Sequence, residues 1–120
     1  MPLRHILIMS FLVILTMGAS MQEPTAATAP TRVEIDARRF TYQPDTVTLK
    51  AGKPVLLVLK SEDVTHGLRI RELGLDMKAS KKKPDEVLFT PRKAGDFVGH
   101  CSVFCGSKHG TMKIEFHVVD

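Results

Sequence analysis

Four side chains of the types that bind soft metals lie within one short segment near the C-terminus. The segment runs from Cys101 to Met112 and follows the pattern Cys-x3-Cys-x3-His-x2-Met, which contains Cys105 and His109. A further histidine, His66, lies thirty-five residues before Cys101. Thiolate, imidazole and thioether ligands together select copper over hard cations such as magnesium or calcium. The pattern therefore predicts a copper site.

The presence of two cysteines indicates which kind of copper site is expected. A mononuclear blue-copper site uses one cysteine, two histidines and an axial methionine, so it does not require both Cys101 and Cys105. Two thiolates that bridge two copper ions spread the odd electron over both metals. Each metal–ligand bond then changes little when an electron arrives, which suits an electron carrier. The second cysteine, four residues from the first, is thus left unexplained by a mononuclear site.

A disulfide and a zinc site are the alternative interpretations of the two cysteines. Cysteine pairs in exported chains form disulfides by default, although a three-residue gap adds little loop entropy to such a bridge. Structural zinc uses cysteine and histidine and has no use for Met112. His66, His109 and Met112 together favour copper over both alternatives.

The chain resembles the dinuclear copper A (CuA) domain of cytochrome c oxidase subunit II and of nitrous oxide reductase. The resemblance extends over residues 33–120 and includes the stretches Phe40-Thr41-Tyr42-Gln43-Pro44, Lys50-Ala51-Gly52 and Ser61-Glu62-Asp63-Val64-Thr65-His66. It implies that Cys101 and Cys105 bridge two copper ions and that His66 and His109 cap them. It also implies two weak axial ligands, the thioether of Met112 and the backbone carbonyl of Val103.

The chain also departs from the oxidase pattern. Subunit II normally carries two transmembrane helices before the copper domain, whereas this sequence has at most one apolar segment there. The family's aromatic approach to the metal includes tryptophan, which is absent, and the carbonyl position, commonly glutamate, is Val103. The large catalytic domain of nitrous oxide reductase has no counterpart. The resemblance therefore implies a copper electron carrier without turnover of its own. It supports neither docking of a basic cytochrome c nor nitrous oxide reduction.

The N-terminal residues predict export. Arg4 precedes an apolar run from Ile6 to Met17, and Gly18-Ala19-Ser20 follows it. At a rise of ~1.5 Å per residue the run forms a helix of roughly 18 Å, shorter than the ~30 Å hydrocarbon core. Residues 1–20 are therefore predicted to be a signal peptide cleaved after Ser20, with an uncleaved membrane anchor as the alternative. The expected location is the periplasm or the outer face of the cytoplasmic membrane.

The remaining residues predict one all-β domain, residues 32–120, after a flexible linker of small residues and prolines at residues 21–31. Seven short alternating or β-branched runs are predicted as strands: Val33–Phe40, Thr46–Lys50, Pro54–Lys60, His66–Ile70, Glu86–Thr90, Asp96–His100 and Thr111–Val119. Short strands separated by regular turn residues predict a cupredoxin-like Greek-key β-sandwich. The segment from Cys101 to Met112, which we call the metal segment, lies between the last two strands.

Alternation in the last predicted strand assigns side chains to its two faces. Met112, Ile114, Phe116 and Val118 are predicted to point inward, and Lys113, Glu115 and His117 outward. Met112 is therefore a candidate core residue as well as a candidate ligand. His100 precedes Cys101 and is left open as a strand end, a partner contact or a group that supports the ligands.

The charge of the chain is basic, with 17 Lys and Arg against 13 Asp and Glu. Lys78, Lys81, Lys82 and Lys83 form a cluster that is either a solvated loop or a surface for an acidic redox partner or anionic lipid headgroups. Nucleic acid is not expected, since the chain has one tyrosine, no tryptophan and no binding motif.

The sequence thus predicts an exported electron-transfer protein that exchanges electrons with a cytochrome or a terminal oxidase subunit. The alternative is a copper-handling protein that holds or delivers Cu(I) through the same soft ligands.

Overall fold

The computed structural model describes residue 18 and residues 29–120. The predicted leader and the predicted linker lie outside the described residues except for Gly18 and residues 29–31. Within the part of the chain that is described, no helix has both the length and the apolar character needed to cross a membrane.

Two β-sheets pack face to face to form a sandwich. The nine strands of the described residues are β1 (Thr31–Arg38), β2 (Thr41–Gln43), β3 (Thr46–Lys50), β4 (Val55–Ser61), β5 (His66–Ile70), β6 (Leu75–Ala79), β7 (Asp85–Phe89), β8 (Gly95–His100) and β9 (Lys113–Val119). One sheet has the order β2-β1-β4-β7 and the other β3-β9-β8-β5-β6. Single turns of 3₁₀ helix occur at Arg71–Leu73 and His109–Thr111. The all-β sandwich predicted from the sequence is confirmed.

The seven predicted strands are all present, with bounds that shift by up to two residues at either end. Two further strands, β2 and β6, were not predicted. Strand β2 has only three residues, but β6 alternates regularly, with Leu75, Met77 and Ala79 buried and Asp76 and Lys78 exposed. This period of two was visible in the sequence and indicates a half-buried strand. The assignment of Lys78 to a loop was therefore wrong, because this residue lies in β6.

The core lies between the two sheets, where the inward positions of each strand are apolar. In β9 the buried side chains are Ile114, Phe116 and Val118, and the residues between them are exposed. The predicted alternation is thus confirmed. Met112, just before β9, is also fully buried, so that its side chain reaches the core from the metal segment.

One end of the sandwich gathers the residues of the predicted site. Strand β5 begins there at His66, β8 ends there at His100 and leads directly into Cys101, and β9 begins there after Met112. Antiparallel pairing of β5 with β6 places His66 opposite Ala79, so that the turn after β6 lies at the same end. Because β5 and β8 are neighbours in one sheet, the upstream histidine and the first cysteine are brought together.

The alternation of β9 gives a direct stability test. Phe116→Ala should lower the free energy of unfolding by about 3–5 kcal/mol, because it leaves a cavity between the sheets. Glu115→Ala, on the exposed face of the same strand, should change it by no more than about 0.5 kcal/mol. Denaturant unfolding of the metal-free chain measures both. Similar losses for the two variants would contradict the assignment of faces.

Candidate metal centre

The two cysteine sulfurs lie side by side at the centre of the site. Cys101 and Cys105 are free and buried, and their Sγ atoms are 3.6 Å apart. An imidazole nitrogen approaches each sulfur from a different residue: Nδ1 of His66 is 3.9 Å from Cys101 Sγ, and Nδ1 of His109 is 3.7 Å from Cys105 Sγ. The ligand atoms of His66 and the two cysteines all lie within 4.8 Å of one another. This set of soft donors fits copper.

Two weaker donors complete the arrangement. The Sδ atom of Met112 lies 3.8 Å from Cys105 Sγ, and the carbonyl oxygen of Val103 lies 3.1 Å from Cys101 Sγ. All six residues predicted for the site are therefore brought to one place. The thioether and the carbonyl approach different sulfurs.

Four of the six site residues are shielded from water, whereas Val103 and His109 are only half-buried. His66 and Met112 are fully buried, and both cysteines are buried. Burial, together with the adjacent Cys101 sulfur, raises the pKa of the Cys105 thiol to about 11. A metal binds the thiolate, so copper must displace a proton when it enters.

Gly67 allows the metal segment to lie directly on β5. A Cβ at this position would lie 2.0 Å from Oγ and 3.0 Å from the backbone nitrogen of Ser102. The backbone N–H of Gly67 points at the Cys101 sulfur, with a nitrogen to sulfur distance of 3.4 Å. Tyr42, buried beneath, donates its hydroxyl to the Gly67 carbonyl at 2.6 Å. Both backbone groups of Gly67 therefore position the cysteine.

Asp63 fixes the orientation of His66. Its Oδ1 accepts a hydrogen bond from His66 Nε2 at 2.6 Å, which leaves the Nδ1 lone pair directed at the cysteines. The backbone N–H groups of Arg39 and Val64 also donate to the carboxylate, at 2.8 and 2.7 Å. Burial opposes ionisation of Asp63, but these hydrogen bonds outweigh it and lower its pKa to about 2. The carboxylate is therefore charged at neutral pH.

Arg39 holds the metal segment from the other sheet. Its Nε donates to the carbonyl oxygen of Cys105 at 2.9 Å. The next residue of the metal segment, Gly106, has a φ of 141°, and a Cβ there would lie 2.8 Å from the ring of Phe40. Only glycine combines this backbone conformation with so close an approach. The turn after β1 and the metal segment are thus fitted to each other.

Sequence reasoning missed the residues that support the ligands, among them Gly67, Asp63, Tyr42 and Arg39. Asp63 was identifiable as a carboxylate three residues before a candidate ligand, a common partner for a metal-bound imidazole. Tyr42 and Arg39 left no comparable pattern, because they reach the site only through the pairing of strands. His100, left open above, is an exposed strand end opposite Arg69 and Lys113. His117 points outward as predicted and contacts the carboxylate of Asp96.

Comparison with solved structures shows the same fold. The periplasmic domain of subunit II of cytochrome oxidase (CoxB) of Bradyrhizobium japonicum superposes with a TM-score of 0.70 at 20% identity, over 78% of this chain and 87% of that chain. A chain of a heme-copper terminal oxidase dimer superposes with a TM-score of 0.68 at 23% sequence identity, over 76% of this chain and 66% of that chain. Auracyanin A, a blue copper protein from Chloroflexus aurantiacus, superposes with a TM-score of 0.61 at 16% sequence identity, over 76% of this chain and 100% of that chain.

The two sheets form a cupredoxin-like sandwich that holds cysteine, histidine and methionine donors together at one end. Residues 25–119 match the family model of the cytochrome c oxidase subunit II periplasmic domain. The chain belongs to this family, and it is therefore a copper-binding electron-transfer domain. Because the family domain is periplasmic, the protein is exported to the periplasm.

The close contact at Gly67 gives a prediction for copper binding. Gly67→Ala should weaken copper binding roughly tenfold or more, because the added methyl group displaces Ser102 and disturbs the contact of the Gly67 N–H with the Cys101 sulfur. Gly110→Ala, in the same segment but with no atom within 4 Å of the added Cβ, should bind copper normally. Competition with a Cu(I) chelator measures both affinities. Equal affinities for the two variants would contradict the proposed fit.

Proposed function

We propose that this chain is a dinuclear CuA electron carrier in which Cys101 and Cys105 bridge two copper ions. The observation that carries the proposal is the pair of free sulfurs 3.6 Å apart with one imidazole Nδ1 beside each. His66 and His109 would hold the ions together with the two cysteines, and the Met112 thioether and the Val103 carbonyl would contribute weaker donors. A mononuclear site would leave one of two buried thiols without a metal.

A bound copper pair would supply a one-electron redox couple at this site. The chain supplies a site that changes little between the two oxidation states. The bridging residues lie on a segment fixed to β5 through Gly67 and to the turn after β1 through Arg39, while Asp63 fixes the ring of His66. A site fixed from both sheets keeps the rearrangement on electron transfer small. No substrate turnover is proposed for this chain alone.

Burial of the ligands favours electron transfer over delivery of Cu(I). A protein that passes copper on must expose its ligands to the acceptor, whereas His66 and Met112 here are fully buried and both cysteines nearly so. An electron can cross a few ångströms of protein, but a copper ion cannot leave without displacing these groups. Membership of the oxidase subunit II family also supports the electron-transfer function.

The proposed partner is a redox protein, either a cytochrome or a terminal oxidase subunit. The similarity to a chain of a heme-copper terminal oxidase supports the second of these. We also propose that residues 1–20 direct export, as a cleaved signal peptide or as an anchor at the outer face of the cytoplasmic membrane, and that residues 21–31 link this segment to the domain. The apolar run after Arg4 supports this organisation.

Copper stoichiometry tests the dinuclear centre. The copper-loaded chain should bind two ions and, when oxidised, show a purple colour and an electron paramagnetic resonance signal of one electron shared by two copper nuclei. The paired thiolates are the reason for this expectation. One copper ion per chain with a blue, single-ion spectrum would contradict the dinuclear assignment.

Substitution of individual ligands separates their roles. Cys101→Ser or Cys105→Ser should abolish the dinuclear centre, because a hydroxyl cannot replace a bridging thiolate. Met112→Leu should keep both ions and shift the reduction potential, since an axial ligand tunes the metal without holding it. Copper analysis and a potentiometric titration measure these effects. Loss of all copper in Met112→Leu, with two ions kept in Cys105→Ser, would show that the roles are wrongly assigned.

A further inference from the structure

The positive charge of the described residues is concentrated around the metal centre. Four segments form what we call the metal end of the sandwich: residues 38–40, 61–65, 80–84 and 101–112. They contain six Lys or Arg residues and two acidic residues. Elsewhere in residues 29–120, ten Lys or Arg residues are balanced by ten acidic residues. The net positive charge of the described part therefore lies at the metal end.

Both acidic residues of the metal end are already engaged. Glu62 pairs with Arg38 at 3.6 Å, and Asp63 accepts hydrogen bonds from His66 and the Arg39 backbone. The lysines, by contrast, are exposed and form no salt bridge with any described residue: Lys81, Lys82, Lys83 and Lys108. The metal end consequently presents positive charge to an approaching molecule.

The lysines lie on both sides of His66. Lys108 lies in the metal segment, which leaves β8. The turn with Lys81, Lys82 and Lys83 follows β6, whose last residue, Ala79, pairs with His66. Strands β6 and β8 flank β5, so they are separated by about 10 Å, twice the spacing of neighbouring strands. Both groups of charge therefore fall within the area of a single protein contact.

An exposed aromatic side chain lies within the same surface. Phe104 is 79% exposed, although it lies between the two buried cysteines in sequence. Its ring centroid is 5.7 Å from that of His109, at an interplanar angle of 45°. His109 is partly exposed whereas His66 is fully buried. The exposed ring thus covers the candidate ligand that comes closer to the surface. Aromatic residues are enriched at the centres of protein interfaces.

We propose that the metal end is the docking surface for an acidic electron-transfer protein, with Phe104 as the apolar contact and Lys81, Lys82, Lys83 and Lys108 as the steering charges. This inference rests on the proposed electron-transfer function, because a partner must approach the copper pair closely to exchange an electron. One electron passes between the metal of the partner and the copper pair, so that one is oxidised and the other reduced. If these residues bound an anionic lipid surface instead, the membrane would block the access of such a partner to the metal end.

The test uses the copper-loaded chain and an acidic c-type cytochrome, with a basic c-type cytochrome for comparison. Stopped-flow absorbance measures the rate of electron exchange as salt is added. The rate with the acidic cytochrome should fall between 0.1 M and 1 M salt, as the Debye length drops from ~10 Å to ~3 Å. Replacement of the four lysines by glutamine should lower the low-salt rate roughly tenfold or more and flatten the salt dependence.

A matched variant controls for the loss of net charge. Lys50, Lys53, Arg92 and Lys93 are exposed and lie at the opposite end of the sandwich, and their replacement by glutamine removes the same charge. This variant should retain most of the rate and of its salt dependence. Equal losses in the two quadruple variants, or a faster reaction with the basic cytochrome at low salt, would overturn the proposal.

Phe104→Ala separates apolar contact from steering. It should lower the rate with the acidic cytochrome at every salt concentration and leave the salt slope unchanged. Leu88→Ala, which removes a 66% exposed side chain from the edge strand β7, should have no effect. An unchanged rate in Phe104→Ala would remove this residue from the interface and contradict the proposal.

Two further measurements separate the possible reasons for failure. Copper content and the paramagnetic signal are measured for the parent and all variants; a parent without two coppers would refute the proposed function itself. With that centre intact, salt-independent rates would refute only the docking surface. Sedimentation with phosphatidylglycerol vesicles tests the lipid surface. Lysine-dependent sedimentation together with salt-independent exchange would assign the metal end to a membrane and overturn the proposal.

Discussion

The contact between Gly67 and the segment from Cys101 to Met112 is the constraint on which the site depends. Two flexible loops that carry soft donors would not hold them in one place. Here the missing side chain of Gly67 lets Ser102 lie against β5, and the Gly67 N–H points at the Cys101 sulfur. Because β5 begins with His66, the same contact places the upstream imidazole beside the first cysteine. The distance in sequence between these ligands is thereby closed by the pairing of two neighbouring strands.

The sandwich supports this contact from both sheets. Tyr42 reaches from β2 to the Gly67 carbonyl, and Arg39 reaches from the turn after β1 to the Cys105 carbonyl. Met112 is buried as the first inward side chain before β9, so it serves both the core and the site. Cysteines that are held in this way need little movement when their charge changes. The rigidity that an electron carrier requires is thus a consequence of core packing and of hydrogen bonds across the two sheets.

Much of this arrangement was predictable from the sequence, and the remainder depends on contacts between distant residues. The alternation of β9 predicted the last strand correctly, and the spacing from Cys101 to Met112 predicted donors that the fold does bring together, because ligand chemistry and strand period are local properties. Strand β6 was missed although its alternation is equally regular, since the cluster of lysines from Lys78 to Lys83 was assigned to a loop. The roles of Arg39 and Tyr42 arise from the packing of the sheets, which no local pattern encodes. The exposure of Phe104 likewise appears only in the folded structure.

The central claim is that two thiolates bridge two copper ions, and X-ray absorption at the copper edge tests it most directly. The extended X-ray absorption fine structure reports the type and distance of the atoms around each copper ion, and it does not depend on the colour or the electron spin of the centre. The copper-loaded chain should show a first shell that contains sulfur from two bridging cysteines together with imidazole nitrogen, and a scattering path from one copper to the other. A first shell with a single sulfur and no copper–copper path would contradict the account.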